Sequence, residues 1–162
     1  MIVVSNTSPL FYLSSIGHLD LLCQLYDRIV IPTAVLNEIT DVGNTDPSAT
    51  IVPNLTWIET RSPTDLEFVT TLKTELDRGE AEAIALAVEL NAERLIIDER
   101  LGRLAAIQVG LKVTGVLGIF LAAKRNNFIE EVKPLLDALI DRTGFWIDDR
   151  LYTEILNAAD EL

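Results

Sequence analysis

The sequence predicts an α/β protein of three layers, with helices on both faces of a parallel sheet of four or five strands. Short β-branched runs alternate with longer segments whose apolar residues recur at helical spacing. Strands that alternate with helices pair in parallel through right-handed crossovers. The chain has 162 residues, of which 49% are hydrophobic. We therefore expect one domain, residues 1–162, around one substantial core.

The first third of the chain begins with a strand at Ile2 to Val4. Turn and cap residues follow from Ser5 to Pro9, and a proline suits the first turn of a helix. Apolar spacing then continues as far as Tyr26 with one break at Gly17, which predicts two short helices. A second strand is predicted before Pro32, and that proline begins a helix.

The next segment, Asp41 to Asn54, is polar, contains glycine and proline, and predicts a loop. Thr56 to Glu59 is expected to form a third strand, at an edge of the sheet. The residues Ser62 to Asp65 have the order of an N-cap, a first-turn proline and a capping-box acid. We expect a helix from there to about Leu76.

The second half begins with an alanine-rich helix opened by Gly79 and Glu80. A strand at Leu95 to Ile97, a helix at Arg100 to Val109 and a strand at Lys112 to Thr114 are expected next. The spacing of apolar residues predicts three helices in the last part of the chain, at Gly115 to Arg125, Glu130 to Arg142 and Asp148 to Glu161.

The net charge of −12 argues against a protein whose whole surface attracts nucleic acid. Residues 94–133 are locally positive, because seven basic residues stand there against four acids. The basic residues are Arg94, Arg100, Arg103, Lys112, Lys124, Arg125 and Lys133. No apolar run is long enough to cross a bilayer, so we expect a cytoplasmic protein without membrane contact.

Two acids at the start of the alanine-rich helix lie on different faces of that helix. Successive residues turn by about 100°, so Glu80 and Glu82 point to nearly opposite sides. Glu82 shares a mostly polar face with Glu89 and Glu93, which we expect to meet water. Glu80 leads the face that packs on the sheet, where a carboxylate either serves a functional site or complements the helix dipole.

Polar residues also stand where predicted strands end. Asn6 and Asp98 each follow a strand, and ligands of such sheets bind beyond the carboxyl ends of the strands. Taken singly, Asp98 reads as an N-cap of the helix after it, Asn6 and Ser8 as turn residues, and Glu38 as an exposed helix acid. Glu99 could face either way. Taken together, oxygen ligands without histidine or cysteine partners suit Mg²⁺ or Mn²⁺, which commonly support phosphodiester hydrolysis.

Five segments in order resemble a subgroup of PIN-domain proteins related to toxin–antitoxin ribonucleases. They are V-S-N-T-S-P-L at Val4 to Leu10, I-P-T-A-V-L-N-E-I at Ile31 to Ile39, R-G-E-A-E-A-I-A-L-A at Arg78 to Ala87, L-I-I-D-E-R at Leu95 to Arg100 and V-T-G-V-L-G at Val113 to Gly118. The resemblance implies a PIN-like α/β/α fold. It also implies a ribonuclease dependent on Mg²⁺ or Mn²⁺, often the toxin of a toxin–antitoxin pair.

The family's site residues carry over position by position. In chain order they fall on Asn6, Ser8, Glu38, Glu80, and Asp98 or Glu99. Arg100, Arg103 and Lys124 are the basic residues between which we expect RNA to bind. The family usually has aspartate where this chain has Asn6, and an amide oxygen ligates a metal without contributing charge.

The substitution at Asn6 leaves a second hypothesis open. The chain is then a weak or inactive PIN scaffold that binds RNA or an antitoxin. A third hypothesis is an acidic interaction domain with a small basic partner protein. The apolar spacing of the last two helices allows a homodimer, although core packing explains the same spacing.

Overall fold

The computed structural model describes residues 1–41 and 45–162. The sheet has five parallel strands in the order β3-β2-β1-β4-β5. The strands are β1 Val3–Ser5, β2 Ile29–Pro32, β3 Ile58–Arg61, β4 Arg94–Ile96 and β5 Val113–Thr114. The predicted three-layer α/β/α fold with a parallel sheet is confirmed.

Ten α-helices and one 3-10 helix, Val52–Asn54, lie within the described ranges. The α-helices are α1 Thr7–Ser15, α2 Asp20–Tyr26, α3 Thr33–Ile39, α4 Ser48–Ile51, α5 Leu66–Leu72, α6 Arg78–Glu89, α7 Arg100–Gln108, α8 Val116–Arg125, α9 Lys133–Thr143 and α10 Asp149–Ala158. Within these ranges, none is both long enough and apolar enough to span a membrane.

The central strand β1 lies next to β4 in the sheet, so Asn6, which follows β1, is at the same sheet edge as Asp98, which follows β4. Val4 pairs with Val30 of β2 and with Leu95 of β4. The backbone N–H of Asn6 donates to the carbonyl of Ile96 at 2.9 Å, which extends the β1–β4 pairing by one residue. Because the strands are parallel, the residues that follow β1 and β4 meet at one edge.

Each face of the sheet has its own hydrophobic core, because successive strand side chains point to opposite faces. Val3 and Ile96 pack with buried residues of α1, α2, α8, α9 and α10. Val4 and Leu95 pack with Ala83, Ile84 and other residues of α6. Helix α6 is buried from Gly79 to Ala87, so its first turn is fixed firmly against the sheet edge.

The order of the predicted elements is confirmed, but two were wrong in detail. The segment Asp41 to Asn54 is partly helical, since α4 and the 3-10 helix occupy its second half, while Val42 to Asn44 lie outside the described residues. Helix α5 is shorter than predicted: it begins only at Leu66, because Asp65 rather than Ser62 is its N-cap, and it ends at Leu72 rather than near Leu76. The Asp65 Oδ1 accepts from the N–H of Phe68 at 3.1 Å.

Candidate active site

The predicted site residues lie on four elements that meet at the carboxyl edge of the sheet. Two neighbouring hydroxyls of α1 connect them. Thr7 Oγ1 donates to Glu38 Oε2 at 2.8 Å. Ser8 Oγ donates to Glu99 Oε1. The first turn of α1 is therefore in contact with an acid of α3 on one side and an acid after β4 on the other.

Asn6 is buried, with 3% of its surface exposed, and lies at the N-cap position of α1. Its side chain makes no capping hydrogen bond. Its Oδ1 has no hydrogen-bond partner in residues 1–41 and 45–162. A buried acceptor without a partner costs about 1–3 kcal/mol, so this oxygen is a candidate ligand for a group that the fold does not itself supply.

Glu80 and Asp77 form a capping box at the start of α6. The N–H of Glu80 donates to Asp77 Oδ1 at 2.8 Å, and the N–H of Asp77 donates to Glu80 Oε1 at 3.2 Å. The pKa of Glu80 is raised to about 7, chiefly by burial and also by the charges of Asp77 and Glu99, although the hydrogen bond from the Asp77 backbone lowers it. Glu80 thus lies close to both of these acids.

Asp98 caps α8 and not α7, so its predicted role as the N-cap of α7 is wrong. Its Oδ1 and Oδ2 lie 3.1 and 3.2 Å from the N–H of Val116. Glu99 occupies the N-cap position of α7 without a side-chain capping bond. Burial raises the pKa of Asp98 to about 6, although the Val116 N–H and Arg103 lower it.

Glu38 is the acid of α3, and its carboxyl group faces the start of α6. Desolvation raises its pKa, and the nearby charge of Asp77 does the same. The hydroxyl of Thr7 and the backbone N–H of Gly79 donate to it and lower its pKa. Asp77 therefore lies near both Glu38 and Glu80, although the sequence analysis did not predict it as a site residue.

Three glycines make room for three of the acids. An added Cβ at Gly79 would lie within 3.0 Å of the Glu38 carboxylate, one at Gly102 within 3.0 Å of Glu80, and one at Gly115 within 3.0 Å of Asp98. Real Cβ atoms essentially never approach so closely. Each carboxylate thus occupies the space above a residue that lacks a side chain.

Glu82 does not face water, so that prediction is wrong. It is 6% exposed, and its Oε1 accepts from the N–H of Ala34 in the first turn of α3 at 3.2 Å. Its Oε2 accepts from Arg78 Nε at 2.9 Å. Helix α6 packs against α3 as well as the sheet, so both of its first-turn faces are covered. Glu82 holds α3, and α3 carries Glu38.

The predicted RNA-contacting basic residues differ in what they contact. Arg100 is exposed. Arg103 Nη1 donates to the carbonyl of Ile97 at 2.9 Å. Lys124 Nζ donates to the carbonyl of Ala159 and to Glu161 Oε2, the latter at 3.0 Å. Arg103 and Lys124 therefore take part in contacts within the protein.

The residue types at this edge fit a hard divalent cation. They offer oxygen ligands only, burial and to a smaller extent neighbouring acids raise the pKa values of Glu80 and Asp98, and Asn6 Oδ1 has no partner in the described residues. Across the same residues, no three acidic, histidine or cysteine side chains are grouped closely enough to hold an ion between them. The predicted metal ligands therefore stay a prediction.

The sequence analysis also missed residues that surround the acids. Asp77, Thr7 and the three glycines contact or neighbour the predicted carboxylates. The spacing of Asp77 and Glu80 matches a capping box and could have placed Asp77 beside Glu80. The glycine contacts join residues far apart in the chain, so one sequence gives no signal for them.

Comparison with known families agrees with this architecture. A family model described as a PIN domain matches residues 2–161. None of the curated proteins matches the sequence. PIN domains are nuclease-type folds and are generally metal-dependent ribonucleases. Since the match spans nearly the whole sequence, the chain belongs to the PIN-domain family.

Proposed function

We propose that this protein is an endoribonuclease that hydrolyses RNA phosphodiester bonds with Mg²⁺ or Mn²⁺. One observation carries the proposal. Glu38, Glu80 and Asp98, from three separate elements, lie at one sheet edge above three glycines, with the unpartnered Oδ1 of Asn6 at the same edge. Burial raises the pKa of each of these three carboxyl groups, so their ionised forms are costly unless a cation offsets the charge.

The proposed ligands are the oxygens of Asn6, Glu38, Glu80, Asp98 and Glu99. A bound ion would lower the pKa of a water and stabilise the charge that develops on the phosphate. The protein orients the ligands through hydrogen bonds, as the N–H of Val116 does for Asp98 and the hydroxyl of Ser8 does for Glu99. Such outer contacts orient metal ligands and tune their affinity.

Asp77 supports activity despite the neutral Asn6. Its carboxylate lies close enough to raise the pKa of both Glu38 and Glu80. It therefore adds negative potential beside two of the proposed ligands, in a site that lacks the charge of the family's usual aspartate at position 6. We propose that Asp77 compensates in part for the charge that asparagine lacks.

The test compares Glu80→Gln with Glu93→Gln, which changes an exposed acid beyond the end of α6. Glutamine at position 80 can still accept the capping hydrogen bond from Asp77, so the fold should be retained. We expect Glu80→Gln to reduce both Mn²⁺ affinity and RNA cleavage, the latter by ~100-fold or more. Glu93→Gln should change neither. Cleavage retained in folded Glu80→Gln contradicts the assignment.

A second candidate function is a scaffold that binds RNA or an antitoxin without cleaving, which the neutral Asn6 favours. Asn6→Asp separates the two. A wild-type protein that shows no cleavage, together with an Asn6→Asp variant that gains it, favours the scaffold. Cleavage by the wild type in the presence of Mn²⁺ favours the nuclease.

We also propose that the nuclease acts as the toxin of a toxin–antitoxin pair, with a small antitoxin protein as partner, and that it forms a homodimer. The resemblance of the sequence supports this role. Expression of the wild type should then arrest bacterial growth, while Glu80→Gln should not. Sedimentation of the purified chain tests the dimer independently.

A further inference from the structure

The edge strand β3 is the part of the sheet that a further strand is able to extend. It is the last strand on its side, and β2 is its pairing partner within residues 1–41 and 45–162. Glu59, Thr60 and Arg61 are all exposed, although successive side chains of a strand point to opposite faces. Both faces of β3 are therefore open to solvent at these residues, and the edge of an open strand presents unpaired backbone groups.

The backbone groups of Thr60 point away from the sheet. The N–H of Ile29 in β2 donates to the carbonyl of Trp57 at 3.0 Å, so Trp57 faces β2. Backbone groups of alternate residues point to opposite sides of a strand, so those of Glu59 also face β2, whereas those of Thr60 face outward. Thr60 is thus able to pair with a further strand without breaking any hydrogen bond of the sheet.

The charged side chains of β3 form a pattern that complements itself. Glu59 and Arg61 lie two residues apart on one face of the strand, and Arg61 Nε lies 2.5 Å from Glu59 Oε2. When two copies of β3 are aligned antiparallel with Thr60 opposite Thr60, Glu59 of each copy lies opposite Arg61 of the other. Opposite charges in cross-strand pairs stabilise a sheet, whereas like charges destabilise it.

This alignment satisfies the backbone as well as the charges. Because Thr60 faces outward in both copies, the two threonines would exchange two hydrogen bonds from N–H to carbonyl across the twofold axis. Charges on an edge strand usually prevent its pairing with other strands. In this alignment like charges lie on the diagonals and opposite charges lie side by side. The pattern therefore favours a second copy of this chain over an unrelated strand.

The other surfaces that bear on a dimer indicate a partner less specifically. Leu136 and Leu139 of α9 and Leu156 of α10 belong to the hydrophobic core, so the apolar spacing of these helices serves the fold. Helix α7 exposes apolar residues such as Leu101 and Leu104. Exposed apolar residues alone leave the identity of a partner open, because they pack against any apolar surface.

We propose that two copies of the chain pair along β3, antiparallel and with Thr60 on the twofold axis, and form one sheet of ten strands, five from each copy. The inference rests on the homodimer proposed above and not on the nuclease activity. Pairing of this kind takes its affinity from backbone hydrogen bonds and its specificity from side chains. The twofold axis reverses the strands, so the two candidate active sites face opposite directions.

Charge reversal tests the pairing, with sedimentation equilibrium of the metal-free protein over a range of concentrations as the measurement. Glu59→Arg and Arg61→Glu each break the ion pair within the strand and place like charges opposite each other in a symmetric dimer. Either variant alone should dissociate about tenfold or more as readily as the wild type. An equimolar mixture of the two should associate again, because every cross-strand pair then joins opposite charges.

Substitutions of Thr60 test the backbone hydrogen bonds. A proline is tolerated on an edge strand where the N–H faces solvent, so Thr60→Pro should retain the circular dichroism spectrum of the wild type. It removes both central hydrogen bonds and should abolish the dimer. Thr60→Val is the matched control, because it keeps the N–H and should dimerise. Leu104→Glu, on the exposed side of α7, should also leave the dimer intact.

The outcomes that overturn the inference are distinct from those that overturn the nuclease. A wild-type chain that stays monomeric, a dimer that persists in Thr60→Pro, or charge variants that do not associate on mixing would each overturn it. A dimer that dissociates in Leu104→Glu but not in Glu59→Arg places the interface on α7 instead. RNA cleavage is assayed separately, so a dimer without cleavage retains the β3 pairing and removes the nuclease, and cleavage by a monomer does the reverse.

Discussion

At the scale of single residues, Asn6 determines how much charge the site contains. Its Oδ1 is buried without a partner in the part of the chain that the structure describes. Asn6→Asp would bury a full negative charge at this edge of the sheet, so metal-free protein should lose stability at neutral pH. The same charge should increase Mn²⁺ affinity, by about tenfold if it gains ~1.4 kcal/mol. Denaturant unfolding and calorimetry measure the two effects, and weaker Mn²⁺ binding would contradict this prediction.

The raised pKa of Glu80 predicts how the stability of the metal-free protein depends on pH. Its pKa is raised from 4.5 to about 7 in the folded state. Between those values the folded protein retains a proton that the unfolded chain has lost, so stability falls as pH rises through this window. Glu80→Gln should remove part of that decline and be more stable than wild type at pH 8. After allowance for screening by solvent we expect a difference of about 1 kcal/mol, measured by urea unfolding in chelator.

Asp98 provides the internal control for that measurement. Its pKa is also raised, from 3.8 to about 6. Asp98 therefore also lowers the stability of the protein as pH rises, but in a window at lower pH. The Glu80→Gln variant should retain this loss of stability, because Asp98 is unchanged in it. An identical pH dependence in wild type and Glu80→Gln would show that Glu80 is not perturbed.

The glycine contacts predict how the site responds to one added methyl group. Gly115→Ala would place a Cβ within 3.0 Å of Asp98, so the carboxylate must move from the N–H of Val116. We expect a loss of stability of about 1–3 kcal/mol, together with weaker metal binding. Gly118→Ala is the matched control in α8, because its Cβ would meet only a methyl of Thr114 at 3.0 Å. Thermal melts with and without Mn²⁺ distinguish the variants.

At the scale of elements, periodicity predicted the five strands and nine of the ten described α-helices, but it missed α4, the 3-10 helix and several boundaries and contacts. Asp65 rather than Ser62 begins α5, because Asp65 makes the actual hydrogen bond to Phe68. The exposure of Glu82 was also predicted wrongly. A helical wheel assumes one buried side, whereas α6 packs between the sheet, α3 and α5. Packing partners remote in sequence decide which face of a helix is buried.

Glu82 links two elements and predicts an indirect effect on the site. Glu82→Gln retains the shape of the side chain but weakens its bonds to Ala34 and Arg78. We expect a loss of stability of about 1 kcal/mol, with α3 and Glu38 less firmly held. Mn²⁺ affinity should fall less than in Glu80→Gln. Equal loss of affinity in the two variants would mean that Glu82 binds the metal directly.

At the scale of the whole molecule, α/β alternation predicted the architecture, and the five motifs in order predicted the family. The sequence also placed Asn6 and Asp98 at one edge, since strand ends follow directly from topology. It did not reveal that Asp98 caps α8, nor that Thr7 contacts Glu38. Such contacts join residues far apart in the chain, and local patterns of apolar and capping residues give no signal for them.

Metal binding predicts a coupling between stability and pH for the whole domain. An ion that binds only the folded state stabilises it in proportion to its affinity, and it needs ionised carboxylates. The pKa values of Glu80 and Asp98, about 7 and about 6, imply that affinity rises with pH. Mn²⁺ should therefore raise the Tm more at pH 8 than at pH 6. An equal rise at both values, or none, would contradict metal binding by these acids.

The hydroxyls of Thr7 and Ser8 also determine the width of the site. The two residues are adjacent, yet one contacts the acid of α3 and the other the acid that follows β4. The separation of Glu38 and Glu99, which we call the opening, is therefore linked to the backbone of a single dipeptide. Small relative movements of the surrounding helices leave that opening unchanged while both hydrogen bonds persist. Insertion of one residue between them would rotate the second hydroxyl by about 100° and separate the two sides.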